Sequence, residues 1–148
     1  MRLGVERYLG RLGRWLRMLG YDAPWQDFPP VAPAPGEFFI TRQRRWAGRK
    51  GVVLLVSEQP RRQLIQLIRQ LGLRLEEQRL FSRCVECNQL VEDVAREDVE
   101  GLVPDFVLAT APGFTRCRAC GKVFWPGTHR HRALRMLKEI FEEAHQEC

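Results

Sequence analysis

The chain of 148 residues is 45% hydrophobic and 28% charged, which suits one compact domain with a small appendage and excludes two large domains or a chain disordered throughout. Twenty-four Lys and Arg against eighteen Asp and Glu give a formal charge of +6, a balance that points to a polyanionic partner. Arg2, Glu6 and Arg7 interrupt the N-terminus, and the aliphatic run at 52–56 is far shorter than the roughly 20 residues of a membrane span, so the sequence predicts a cytoplasmic protein with no membrane partner.

Along residues 8–20, Leu9, Leu12, Trp15, Leu16 and Leu19 share one face of a 3.6-residue period, and Arg7, Arg11, Arg14 and Arg17 share the other. The segment predicts an amphipathic helix whose arginine stripe is either a solvated face or a phosphate-binding one. Gly10 and Gly13 each cost about 1 kcal/mol in a helix, which implies close packing against another element. Gly20 suits its C-terminal end. Residues 24–35 hold five of the nine prolines, so neither a helix nor a central strand runs through them. Residues 38–41 and 52–56 are apolar, β-branched or aromatic and predict strands buried on both faces. The basic segment between them predicts a helix capped by Thr41 and stopped at Gly48. A second amphipathic helix follows at 60–71, with Leu64, Ile65, Leu67, Ile68 and Leu71 on its apolar side and Gly72 after it. Strands alternating with helices indicate an α/β fold with a parallel sheet.

Character changes at residue 81. Residues 81–128 contain two cysteine pairs, acidic spacer sequence and little helical periodicity, whereas 129–148 return to a helical pattern with Leu134, Leu137, Ile140, Phe141 and Ala144 apolar. The chain thus divides into an α/β domain at 1–80, a metal-held module at 81–128 and a C-terminal helix at 129–148. Charge divides with it. Residues 1–50 hold ten basic and four acidic side chains, and residues 81–148 hold nine and eleven. All but three of the basic residues are arginine, whose planar fork suits bidentate phosphate contact. Genomic base composition is the competing explanation.

Cys84 and Cys87, then Cys117 and Cys120 with Gly121 after them, form two C-x2-C pairs. Two residues between thiolates let both sulfurs of a tight turn reach one tetrahedral zinc, and a glycine relieves the turn. Disulfides or buried core thiols are the alternative. Four cysteines leave no open coordination position, so the zinc would be structural, and such a site supplies roughly 10–16 kcal/mol of folding free energy. Cys148 has no partner at ligand spacing. Phe114, Phe124 and Trp125 lie among Arg116, Arg118, Lys122, His129, Arg130, His131 and Arg132, a setting that suits either base stacking or packing of the ribbon. His129 is a candidate phosphate or base contact.

The strings LGRLGRWLRMLGYD, FFITRQRRWA with VVLLVSE after it, and RLFSRCVEC with CRACGKVFWPGTH together resemble the mut-seven C-terminal RNase domain family. That resemblance implies a PIN-like nuclease fold followed by a zinc ribbon. It also implies carboxylates at the C-terminal edge of a parallel sheet, where Mg²⁺ or Mn²⁺ would activate water. Glu6 stands where the family has an Asp before the helix. The family's T-R-D becomes Thr41-Arg42-Gln43, an amide in place of a carboxylate. The acidic helix that follows the YD pair is replaced by the proline-rich loop.

Three readings follow. In the first, a catalytically degenerate domain binds RNA, with structured ribosomal or transfer RNA as the ligand class, through Arg11, Arg14, Arg17, Arg42, Arg44, Arg45, Arg49 and His129. In the second, a metal-dependent endoribonuclease keeps Glu6, Asp22 and Glu58 as ligands of Mg²⁺ or Mn²⁺. In the third, the proline-rich loop and the last helix dock a protein partner.

Overall fold

Leu3 and Val5 are fully buried in the first strand, β1 (Arg2–Val5), in the computed structural model, which describes residues 1–146. β1 pairs in parallel with β2 (Glu37–Thr41), Leu3 opposite Phe38 and Val5 opposite Ile40, and β3 (Val52–Leu54) joins the other edge of β2 with Val53 opposite Ile40. Asp22 and Trp25 make isolated parallel bridges to Arg2 and Val5. β1 therefore has neighbours on both sides. A four-residue strand containing a glycine is too short to show a period, which is why the sequence does not reveal it.

Two helices cover the sheet. α1 (Gly10–Met18) buries Leu12, Leu16 and, just beyond its end, Leu19. Its Gly13 packs closely against the Trp25 ring, where a Cβ would overlap the indole, while Gly10 has only ordinary contact with Arg14. The close packing implied by two helical glycines belongs to Gly13 alone. α2 (Pro60–Leu71) has proline in its first turn and stops at Gly72, as its pattern predicts. The helix expected after Thr41 is instead a single 3₁₀ turn, Arg44–Trp46. Thr41 is spent as the last residue of β2, and a segment whose only apolar residues are Trp46 and Ala47 has no stripe to bury. The strand expected over 52–56 also ends early: Leu55 N–H still donates to Thr41, but Val56 is exposed.

The cysteine-containing segment forms an antiparallel sheet from β4 (Val91–Val94), β5 (Phe114–Cys117) and β6 (Val123–Phe124), with a short helix α3 (Asp105–Thr110) between β4 and β5. Val99, Val103, Ala111 and Phe114 make a separate small core with Val94, Val107, Leu108, Val123 and Trp125 around it. This core and α3 were hidden in the sequence because their apolar residues follow neither a period of 2 nor one of 3.6. α4 (Thr128–Ala144) returns to the first core, burying Leu137, Ile140, Phe141 and Ala144 beside α2. Arg69 Nε donates to Ala144 O at 2.9 Å, and Arg61 pairs with Glu143 at 2.9 Å. Cys148 lies outside the described residues.

Candidate functional site

The two cysteine pairs are built alike. Cys84 N–H donates to Gln89 O and Asn88 N–H to Cys84 O; in the second turn Cys117 N–H donates to Lys122 O and Gly121 N–H to Cys117 O. Asn88 and Gly121 take the same left-handed position, at φ 65° and 77°, which Gly adopts freely and Asn tolerates. These turns bring the four Sγ atoms within 4.8 Å of one another. Cys84 and Cys120 Sγ stand 3.7 Å apart, close to the edge of about 3.8 Å expected for a tetrahedron of thiolates bonded to zinc at about 2.3 Å. The set can therefore hold one metal ion and leaves it no open position. A backbone N–H from Lys122 draws the Cys120 thiol down to about 7, while hydrogen bonding to Cys120 pushes Cys87 up to about 12. Without a cation, the Cys120 thiolate is thus favoured over that of Cys87.

Arg17 ties this centre to the sheet. Sequence periodicity places it on the exposed stripe of α1, but it is 1% exposed. Its Nε donates to Ala23 O at 2.9 Å and its Nη1 to Val85 O, in the turn between Cys84 and Cys87, at 2.8 Å. Its guanidinium also lies 4.4 Å from the centroid of the Trp25 ring. Burial lowers its pKa, and the neighbouring Cys84, Cys87 and Glu86 act in the opposite sense. Arg17 is thus a bridge between the two cores and not a surface contact; the other stripe members, Arg7, Arg11 and Arg14, are exposed.

At the C-terminal edge of the parallel sheet, Glu6 follows β1 directly and is 3% exposed. Its Oε1 accepts from Thr41 Oγ1 and, at 2.7 Å, from the Tyr8 hydroxyl; its Oε2 accepts from the Gln43 side-chain amide. Thr41 Oγ1 in turn accepts from Gln43 N–H at 2.9 Å. Desolvation and then the bond to Glu6 raise the Tyr8 pKa and keep its hydroxyl a donor. The other two acids of the nuclease reading are elsewhere. Asp22 bridges to Arg2, at the opposite end of β1, roughly 13 Å along the strand at about 3.3 Å per residue. It accepts from Asn88 Nδ2 at 2.6 Å. Glu58 is 83% exposed in its side chain and stands 3.7 Å from Arg42. Glu6, Asp22 and Glu58 do not converge. Among the described residues, the cysteine quartet is the one cluster of three or more potential ligands at metal-binding separation.

The family model described as Mut7-C RNAse domain matches residues 1–137, from β1 into α4, and so takes in both the sheet edge and the cysteine pairs. The chain belongs to the Mut7-C RNAse domain family. No curated protein and no solved structure matches it. In this Mut7-C domain the basic side chains beyond the sheet edge are open to solvent: Arg42, Arg44, Arg45 and Arg49 are all exposed. Arg45 and Arg49 both lie over the Trp46 ring, at 4.6 and 4.8 Å, and Phe28 meets that ring edge-on. His129 is exposed in the first turn of α4. Sequence reading missed Tyr8 and the role of Thr41. The only signal for them was their nearness to Glu6 and Gln43 in the chain, which says nothing of direction without the strand that orients them. No described helix is long and apolar enough to cross a membrane.

Proposed function

We propose that this Mut7-C domain binds structured RNA without cleaving it, and that a structural zinc ion holds its ribbon. One observation carries the reading: the carboxylate at the sheet edge is bonded to the uncharged donors of Thr41, Tyr8 and Gln43. Metal-assisted phosphodiester cleavage needs several carboxylates converging on a divalent ion. A single carboxylate already occupied by neutral donors cannot balance that ion's charge. The same edge is bordered by exposed Arg42, Arg44, Arg45 and Arg49, which attract phosphate, and the guanidinium planes over Trp46 offer flat cationic surfaces to bases. The family membership supports nucleic acid as the ligand class.

The test is fluorescence anisotropy of a labelled hairpin RNA across a salt series, with RNA integrity followed in Mn²⁺. Affinity should fall steeply with salt, and replacing Arg44, Arg45 and Arg49 together by Gln should flatten the log–log slope by about 2. Affinity indifferent to salt would sink the binding reading. Mn²⁺-dependent cleavage that disappears in Glu6→Gln would restore the endoribonuclease. A docking reading draws on exposed Phe28 and Val31 in the proline-rich loop; a copurifying protein without RNA would favour it.

A further inference from the structure

Where the start of α4 meets β6 and the end of α1 lies a cleft of about 390 Å³, within the range of small-molecule sites. Phe81, Phe124 and Trp125 give it aromatic walls, and its charged lining residues are Arg83, Lys122 and Arg130, with no Asp or Glu among them. Two of these cations are engaged. Arg83 donates to Gly20 O and Asn88 O, and Lys122 stands 3.6 Å from Glu86. Arg130 is different. It is half-buried, its guanidinium lies 4.3 Å from the centre of the Phe81 ring, and among the described residues no carboxylate lies within ion-pair distance of it. A partly desolvated cation without a counter-charge is a cost that a bound anion removes. α4 also begins here, after Gly127, with no side-chain cap and no acid in its first turn, so its free N–H groups add to the same positive field.

We propose that this cleft takes one unpaired nucleotide of RNA, its base against Phe124 and Trp125 and its phosphate on Arg130 and the first turn of α4. Aromatic walls with cations at the rim suit a stacked base carrying a phosphate, and a paired duplex presents no free base face to enter. The exposed arginines of α1 lead to it: Arg11, Arg14 and Met18 share one helical face by their spacing, and Met18 lines the cleft. The inference rests on the RNA-binding reading and adds to it a preference for unpaired bases.

The metal-loaded full chain is titrated with two probes, a blunt hairpin RNA whose loop is replaced by a non-nucleotide linker and the same hairpin with a four-nucleotide unpaired 3′ tail. The tailed hairpin should bind about tenfold more tightly. Arg130→Gln and Phe124→Leu should each abolish that difference while leaving the blunt hairpin within about twofold of the parent; metal content and melting temperature show whether each variant is folded. Equal affinity for both probes, or a tail preference that survives both substitutions, overturns the cleft and leaves the RNA-binding reading standing. Failure of both probes to bind at low salt overturns the RNA-binding reading itself, and the cleft proposal with it.

Discussion

Glu6 and Gln43 show how an amide in place of a carboxylate changes what a sheet edge can do. In Gln43 the terminal group that meets Glu6 is a donor; a carboxylate there would be a second acceptor of the same sign. With no metal the two would repel, and the one hydrogen bond from position 43 to the charged Glu6 would be lost, at a cost of about 2 kcal/mol. A divalent ion between them would reverse the sign of that effect. Gln43→Asp should therefore lower the melting temperature in buffer without added Mn²⁺ or Mg²⁺ and regain it in millimolar Mn²⁺, whereas the parent should not respond to Mn²⁺ at this edge. Differential scanning fluorimetry with the metal-loaded ribbon unchanged in both samples reads the difference. Absence of any Mn²⁺ response in the variant would mean that the geometry, and not the lost charge alone, has closed the site. The sequence exposed the missing charge at position 43. It did not show that Tyr8 and Thr41 occupy both lone pairs of Glu6 Oε1, because that depends on β1 and β2 lying side by side in parallel.

Among the elements, α1 separates helix propensity from packing. Gly10 and Gly13 look alike in the sequence, yet a Cβ at Gly10 would sit 3.4 Å from the flexible end of Arg14, and one at Gly13 would enter the Trp25 ring. Gly10→Ala should stabilise the protein by about 0.5 kcal/mol, since it gains propensity at a helix end without collision. Gly13→Ala gains up to about 1 kcal/mol of propensity but overpacks, at a cost of about 1–3 kcal/mol, and the collision should win. Urea denaturation of the two variants checks the opposite signs; stabilisation by both would show that Trp25 moves aside freely. Legibility follows the same division. α1, α2 and α4 could be read because each repeats an apolar stripe long enough to reveal its period, as Leu64, Leu67 and Ile68 do in α2. β1 and α3 were too short, and the 3₁₀ turn at Arg44 had apparent start and stop residues but nothing to bury. Arg17 was misplaced for a related reason. Periodicity assigns a residue to a face, and only the tertiary structure reveals that the ribbon covers that face with Val85.

At the scale of the whole molecule, the ribbon is inserted between parts of one core. The chain leaves the first core after Leu80, passes through the cysteine turns, and returns to it at Met136 and Leu137. The ribbon's own core has four buried apolar residues, of which Val99, Val103 and Phe114 are worth about 1.5–3 kcal/mol each and Ala111 less, whereas a four-cysteine zinc centre contributes roughly 10–16 kcal/mol. The ribbon is also fastened to the body by Arg17 to Val85, by Ala23 N–H to Asn88 Oδ1 at 2.9 Å and by Phe81 N–H to Met18 O at 2.7 Å. Two of these anchors end on residues within or beside the first cysteine turn, so with the proposed structural zinc they would hold only while the ion keeps that turn formed. Removing the metal with a chelator should therefore unfold the ribbon and leave the body intact. α4 should stay in place although it follows the ribbon in sequence, because Leu137, Ile140 and Phe141 belong to the body core and Arg61 and Arg69 of α2 bind its last turns. Limited proteolysis in chelator should cut within residues 81–127, and the two flanking fragments should still copurify as one particle. With metal present the same segment should resist. Resistance unchanged by the chelator would show that the small apolar core suffices without the ion, and fragments that separate would show that α4 is held by the ribbon and not by α2.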